Sequence, residues 1–290
     1  MTSIVSPGVR PQLGAQSPFK ELVVDGVRLA YDDEGSGPPL VCLHAVAHGA
    51  RDFETLRRRL RATQRVIALD WPGHGNSGDD SEPPTADRYA ALLTRFLDAL
   101  GVERPVLLGN SIGGAAALRL AALDPDRVRG LVLVDPGGLL RGDALSRTAI
   151  SLMVRFFKAG ARGARWYPAA FAAYYRLVLP LAAAADQRRR IVAGAQEMAP
   201  LLARAWRGFA QPEADLRGFA EGVRCPVLVA WAKSDRILQL ARCRDAIGRF
   251  PDARLELFPG GHAPFLECPE LFLPRLEAFL RAVDPRGAQG

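Results

Sequence analysis

The chain has 290 residues, 49% of them hydrophobic, enough to bury a sizeable core in one large domain or two ordinary ones. Its most apolar runs, Leu40 to Leu43, Val106 to Leu108, Leu131 to Val134 and Val227 to Trp231, fall far short of the roughly 20 residues of a membrane span. The formal charge of +7 comes from arginines scattered over polar stretches, densest at Arg57 to Arg59 and Arg188 to Arg190, with no aromatic-interleaved basic stripe, so nucleic acid is not an expected partner.

Met1 to Gln16 mixes Ser, Pro, Gly and Gln without a basic start and an apolar run, so residues 1–18 read as a loose tail rather than a secretory signal. Two strands follow, Glu21 to Val24 and Val27 to Asp32, joined by the hairpin dipeptide Asp25-Gly26. The break at Gly35 to Pro39 leads into a continuous apolar strand, Leu40 to His44, the pattern of a parallel strand covered on both faces. A helix from Arg51 to Ala62 and a strand from Arg65 to Leu69 come next, then the glycine-proline loop Asp70-Trp71-Pro72-Gly73-His74-Gly75-Asn76-Ser77 and a helix from Ala86 to Leu100. The strand Val106 to Gly109 runs into Asn110-Ser111 and a helix from Ile112 to Leu123, which gives way near Asp124-Pro125 to the strand Val128 to Val134 and the turn Asp135 to Gly138. Such alternation predicts an α/β fold with a mostly parallel central sheet flanked by helices.

Between Leu139 and Leu216 the alternation stops, and the Ala-, Arg-, Leu- and aromatic-rich sequence reads as an all-helical insertion. It resumes with the strand Pro226 to Trp231, a helix from Leu240 to Phe250, the strand Arg254 to Phe258, the loop Pro259 to Pro264 and a helix from Glu270 to Val283. Residues 19–138 and 217–284 therefore form one core, interrupted at 139–216 between its sixth and seventh strands. Cys42, Cys225, Cys243 and Cys268 form no C-x-x-C pair, and reduced thiols in a cytoplasmic protein are the expectation.

Gly109-Asn110-Ser111-Ile112-Gly113, followed by Gly114, is a G-x-S-x-G sequence placed between a strand and a helix, the context of a nucleophile elbow. In so tight a turn side chains at Gly109 and Gly113 would strike backbone, while Ser111 is held strained with its hydroxyl presented. A serine hydroxyl needs a base, and the base needs an acid to fix its tautomer. His262, in Gly260-Gly261-His262-Ala263-Pro264 after the last strand, stands where the base arrives in the order Ser, acid, His. Asp235, just past the seventh strand, is the preferred acid, and Asp135, after the sixth, is its rival. The expected oxyanion donors are the N–H groups of Ile112 and Val46. His44, His48 and His74 read as loop anchors or pocket lining. The H-x-x-x-H spacing of His44 and His48 lacks an intervening glutamate and falls at a strand-loop junction, so no metal is expected.

Taken in order, the His44 loop, Asp70-x-Pro-Gly-His-Gly-x-Ser77, the Ser111 elbow, the Asp235 turn and the Gly261-His262 loop resemble the α/β-hydrolase superfamily from Phe19 to Val283. The resemblance implies that the insertion is a helical cap over the active site, with His44, Ala45 and Ala263 near the substrate. Epoxide hydrolases and haloalkane dehalogenases of this architecture carry an aspartate nucleophile, which Ser111 opposes. Gly109 to Gly114 together with Asp135-Pro136-Gly137-Gly138-Leu139 look like the C–C hydrolases of ring-fission products. This chain departs from them in Ala45-Val46-Ala47-His48, where they have a glycine-rich loop, and in Ala263, where they commonly have Trp. Their cap arginine has candidate counterparts in Arg188, Arg189 or Arg190, which read rather as a solvated helix face. Cleavage of a small apolar or aromatic carboxylic ester is thus the leading expectation, C–C hydrolysis the second and ligand binding without catalysis the third. No cofactor is required, the partner is a small-molecule substrate, and the chain is a monomer or homo-oligomer. Phe156, Phe157, Trp166, Tyr167, Phe171, Tyr174 and Tyr175 supply apolar surface for the cap's own core or for substrate.

Overall fold

A computed structural model describes residues 19–284; the tail expected at residues 1–18 lies outside them. Strands β1 (Lys20–Val24) and β2 (Val27–Glu34) pair antiparallel about Asp25 and Gly26, both at positive φ (48° and 76°), as a type I′ hairpin requires. The chain continues through β3 (Pro39–Leu43), a 3-10 turn at Ala50–Phe53, α1 (Glu54–Leu60), β4 (Arg65–Leu69), α2 (Ala86–Ala99), β5 (Val106–Asn110), α3 (Ile112–Leu123) and β6 (Gly130–Val134). Four helices follow, α4 (Ala144–Ala161), α5 (Tyr167–Val178), α6 (Ala185–Ala193) and α7 (Ala195–Gly208). Strand β7 (Val227–Ala232), α8 (Leu240–Ile247), β8 (Ala253–Phe258), α9 (Pro264–Glu267) and α10 (Pro269–Ala282) complete the core.

The eight strands form one sheet in the order β1-β2-β4-β3-β5-β6-β7-β8, parallel except for the β1–β2 and β2–β4 pairs. Alternate side chains enter separate cores. Val41, Leu43, Ile67, Leu69, Leu107, Leu131 and Val229 meet α2, α3 and α8 on one face. Leu40, Cys42, Val66, Ala68, Leu108, Val132 and Leu228 meet α1 and α10 on the other. Because both faces are covered, β3 and β6 are apolar throughout and β5 is apolar up to Asn110, rather than alternating. The chain leaves β3 toward β4 on one side and returns to β5 on the other. A crevice opens between diverging connections at such a reversal, beyond the carboxyl ends of the strands.

Several expected elements differ in detail. The helix expected from Arg51 starts as a 3-10 turn, and the last helix is preceded by α9 and a break at Cys268 (φ −146°, ψ 58°). Pro269 causes that break, since its ring disfavours helical geometry at the preceding residue. The helices between β6 and β7 pack largely through aromatic side chains. Phe157, Tyr167 and Phe171 are fully buried, with centroids 4.9 Å apart for Phe156–Tyr167 and 4.8 Å for Phe171–Tyr175. No helix of the described residues is long and apolar enough to cross a membrane. All four cysteines are buried and unpaired, and burial pushes the Cys225 thiol up to about 11 and that of Cys243 to about 12.

Asp70 organises the loop after β4. One carboxyl oxygen accepts from the Ala50 N–H (2.7 Å) and the other from the Asn76 N–H (3.0 Å). Burial lifts this carboxyl to about 6, above its ordinary value near 3.8. The folded protein therefore binds the proton more tightly than the unfolded chain, and stability contributed below about pH 4 is lost as pH rises through about 6. Measured against Asp70→Asn by urea unfolding, the wild type should lose about 2–3 kcal/mol between pH 4 and pH 7. A stability difference that stays constant over that range would refute the assignment.

Candidate active site

Ser111 follows β5 and caps α3 at φ 53°, ψ −116°, a region that costs a non-glycine residue about 1–3 kcal/mol. Close packing enforces that geometry. A Cβ on Gly109 would overlap the carbonyl of Gly113, and one on Gly113 would overlap the carbonyl of Leu43 at the end of β3. The Ser111 N–H donates to the Val134 carbonyl (3.1 Å), its own carbonyl accepts from Gly137 N–H (2.9 Å), and the side chain is partly exposed. Asn110 Nδ2 donates to the carbonyls of Val134 (3.0 Å) and His262 (2.9 Å), tying the elbow to the histidine loop.

His262 Nδ1 lies 2.8 Å from Asp235 Oδ2, with both residues buried. Asp235 Oδ1 accepts from the N–H groups of Ile237 (2.7 Å) and Leu238 (3.0 Å), which fixes the carboxylate and leaves Oδ2 for the imidazole. Asp235 thus partners His262 directly. Asp135, its rival in the sequence, is fully buried beside the pair and accepts from the Ala232 N–H (2.9 Å). Ligand atoms of Asp135, Asp235 and His262 lie within 4.8 Å of one another. The 2.8 Å separation is that of a hydrogen bond, tighter than the about 3.3 Å between two ligands on a tetrahedral zinc ion, so the trio does not fit a metal in this arrangement.

The N–H of Ile112 belongs to the first turn of α3, where helix geometry supplies no intrahelical acceptor. Val46 lies in the loop after β3, beside Ala47 at φ 66°. Two histidines shape that loop. His44 Nδ1 donates to the Ala45 carbonyl (2.7 Å) and Nε2 accepts from Trp71 N–H (2.9 Å); His74 Nδ1 donates to the Pro72 carbonyl (2.9 Å) and Nε2 accepts from Ala47 N–H (3.0 Å). Burial and the neighbouring His74 hold His44 well below the ordinary imidazole range, so it is neutral, as those bonds require. With both ring nitrogens engaged on backbone, His44 anchors the loop. Ala45 and Ala263 are buried in the loops on either side of the elbow.

Glu267, Asp52 and Gln187 were not singled out from sequence. Glu267 is buried on α9; one oxygen accepts from Leu181 N–H (3.1 Å), beyond α5, and the other from Gly261 N–H (2.7 Å) and Ala263 N–H (3.4 Å), on either side of His262. Burial pushes its carboxyl up, and those three donors and His262 pull it back. His48 Nδ1 pairs with Asp52, whose other oxygen accepts from Gln187 Nε2 on α6, so the β3 loop is also fastened to the insertion. No local pattern marks the contacts of Glu267 with Leu181 or of Asp52 with Gln187, which lie 86 and 135 positions apart.

Residues 40–275 match the alpha/beta hydrolase family, and the chain belongs to that family. It is 29% identical over 264 residues to a putative carbamate hydrolase of Azorhizobium caulinodans, covering 88% of this chain and 96% of that one. Over 138 residues it is 34% identical to a 2-hydroxymuconate semialdehyde hydrolase of Pseudomonas sp. strain CF600, covering 46% of this chain and 47% of the relative. A thermophilic esterase of Thermogutta terrifontis shares the fold with a TM-score of 0.76 at 22% identity, over 92% of this chain and all of that one.

In Glu267→Gln an amide nitrogen replaces one acceptor oxygen and faces a backbone N–H. Urea unfolding should register a loss of about 1–3 kcal/mol. An unchanged midpoint would mean that Glu267 does not hold the histidine loop.

Proposed function

We propose that the protein is a serine hydrolase that cleaves a small apolar or aromatic carboxylic ester through an acyl-enzyme. The observation that carries this reading is the buried Asp235–His262 pair, tied through Asn110 to a strained serine at the mouth of the sheet's reversal. His262, oriented by Asp235, takes the proton of Ser111 as its oxygen attacks the carbonyl. The N–H groups of Ile112 and Val46 stabilise the oxyanion, a contribution worth about 10²–10³ in rate per donor. His262 then protonates the leaving alcohol, and water repeats the sequence on the acyl-enzyme. Residues 139–216 act as a cap. Tyr174, within electrostatic reach of Asp235 and pushed well above its ordinary phenol value by burial, brings the aromatic cluster to the site. The reaction calls on no metal or organic cofactor.

C–C hydrolysis is the second reading, favoured by the semialdehyde hydrolase relative. The three candidate cap arginines weigh against it, because each is engaged elsewhere: Arg188 with the carbonyls of Leu179 and Leu181, Arg189 with Asp186 and Arg190 with Gln187.

Hydrolysis of p-nitrophenyl esters of increasing acyl length tests the assignment. The wild type should turn over short or medium esters, and Ser111→Ala should lose about 10³-fold or more in kcat. Equal activity of the two would remove Ser111 from the mechanism, and a wild type inert toward every ester would sink the ester reading in favour of C–C cleavage.

A further inference from the structure

Asp135 directly follows β6 with its side chain fully buried, and the acyl-transfer steps above give it no task. Its backbone N–H donates to the Ala230 carbonyl (3.0 Å), and Oδ1 accepts from the Ala232 N–H (2.9 Å). Oδ2 is buried with no hydrogen-bond donor directed at it. Asp235, less than 4.8 Å away, is committed as an acceptor on both oxygens, to Ile237 and Leu238 on one and to His262 on the other. Among the described residues, Glu267 on α9, Tyr174 on α5, Cys243 on α8 and Cys268 after α9 also act electrostatically on one or other of the two carboxyl groups. Two carboxyl groups therefore face a single imidazole away from water, where like charges do not both persist. Burial and the nearby Asp235 carboxylate push Asp135 well above the usual carboxylate range.

We propose that Asp135 is a positioning residue that carries a proton on Oδ2 and donates it to Asp235, so that the acid behind His262 is a pair of carboxyl groups sharing one negative charge. This rests on the reading of Asp235 and His262 as catalytic partners. The unsatisfied oxygen is thereby explained: as an acceptor Oδ2 has no donor, but a hydroxyl on this carboxyl has the Asp235 carboxylate within 4.8 Å to accept from it. Asp135 touches no reacting atom. Its hydrogen bond fixes the plane of the Asp235 carboxylate and spreads its charge, which keeps His262 from being over-stabilised as the imidazolium.

The hypothesis requires a neutral donor at position 135, and an amide supplies one. The first test is titration of the His262 ring protons by NMR in substrate-free protein, with its signals identified by their loss in His262→Gln. Asp135→Asn exchanges one neutral donor for another, so the His262 midpoint should move by less than about 0.3 pH unit. A fall of about one unit or more would show that a negative charge had been removed, and would overturn the proposal. The second test is ester hydrolysis. Asp135→Leu, which has no donor, should lower kcat about tenfold with KM unchanged, while Asp135→Asn stays within about threefold of wild type. Full activity in Asp135→Leu, or equal impairment of both variants, would also overturn it. Should Asp135→Leu fail to fold, the Asn titration decides alone. Failure of the serine reading shows separately, as undiminished activity in Ser111→Ala, and leaves the NMR result standing.

Discussion

The contact on which the site depends is the approach of α3 to the carbonyl ends of β3 and β5. Helix α3 starts directly off β5, so its first turn is pressed against Leu43 and against Gly109, one turn of chain earlier. No Cβ fits at position 109 or 113, and Ser111 between them takes a positive φ to make the reversal. Strain of that kind persists only where surrounding packing over-determines it. Here the fully buried strands on either side and the bonds from Ser111 to Val134 and Gly137 supply the constraint. The same closeness brings the Ile112 N–H and the β3 loop to one side of the serine, so the proposed oxyanion site is a by-product of the turn rather than a separate construction.

Around this fixed point, the loops are held by buried carboxylates acting as acceptors for backbone N–H groups. Asp70 takes those of Ala50 and Asn76, Asp235 those of Ile237 and Leu238, and Glu267 those of Leu181 and Gly261. Irregular backbone beneath a cover cannot satisfy its donors with water, and each donor left unpaired costs about 1–3 kcal/mol. A carboxylate offers two oxygens to two separated segments, which is why one residue can fix both a loop and its neighbour. The cost is desolvation of the acid, visible as the upward displacement of Asp70 and Glu267.

Legibility in the sequence follows the range of the interactions. The sheet was readable because doubly covered parallel strands are continuously apolar, and Arg65–Leu69 and Ile112–Leu123 have the bounds their pattern predicts. The turn from β5 into α3 was readable because its glycines and serine are local, and Asp235 and His262, singled out by chain order, are hydrogen-bonded to each other. Glu267 was not, because its partners lie 6 and 86 positions away and its own neighbourhood is an ordinary helix start. Asp52 and Gln187 meet across 135 positions. Asp135 was visible only as an alternative to Asp235; that the two stand together follows from β6 and β7 being adjacent and parallel, a consequence of strand order that no local pattern carries.

The same strand order explains why the helical insertion bears on both halves of the proposed chemistry. It leaves the core after β6 and re-enters at β7, the strands followed by Asp135 and Asp235, and two of its polar contacts reach the loops around them. Leu181 meets Glu267 beneath the histidine loop, and Gln187 meets Asp52 beside the loop of Val46. The carbonyl of Val178 packs so closely on Gly261 that a Cβ there would overlap it. A displacement of α5 would thus be felt at the loop of His262, and one of α6 at the loop of Val46. Substrate shape, acting on the proposed cap, would then influence proton transfer and oxyanion stabilisation through separate contacts.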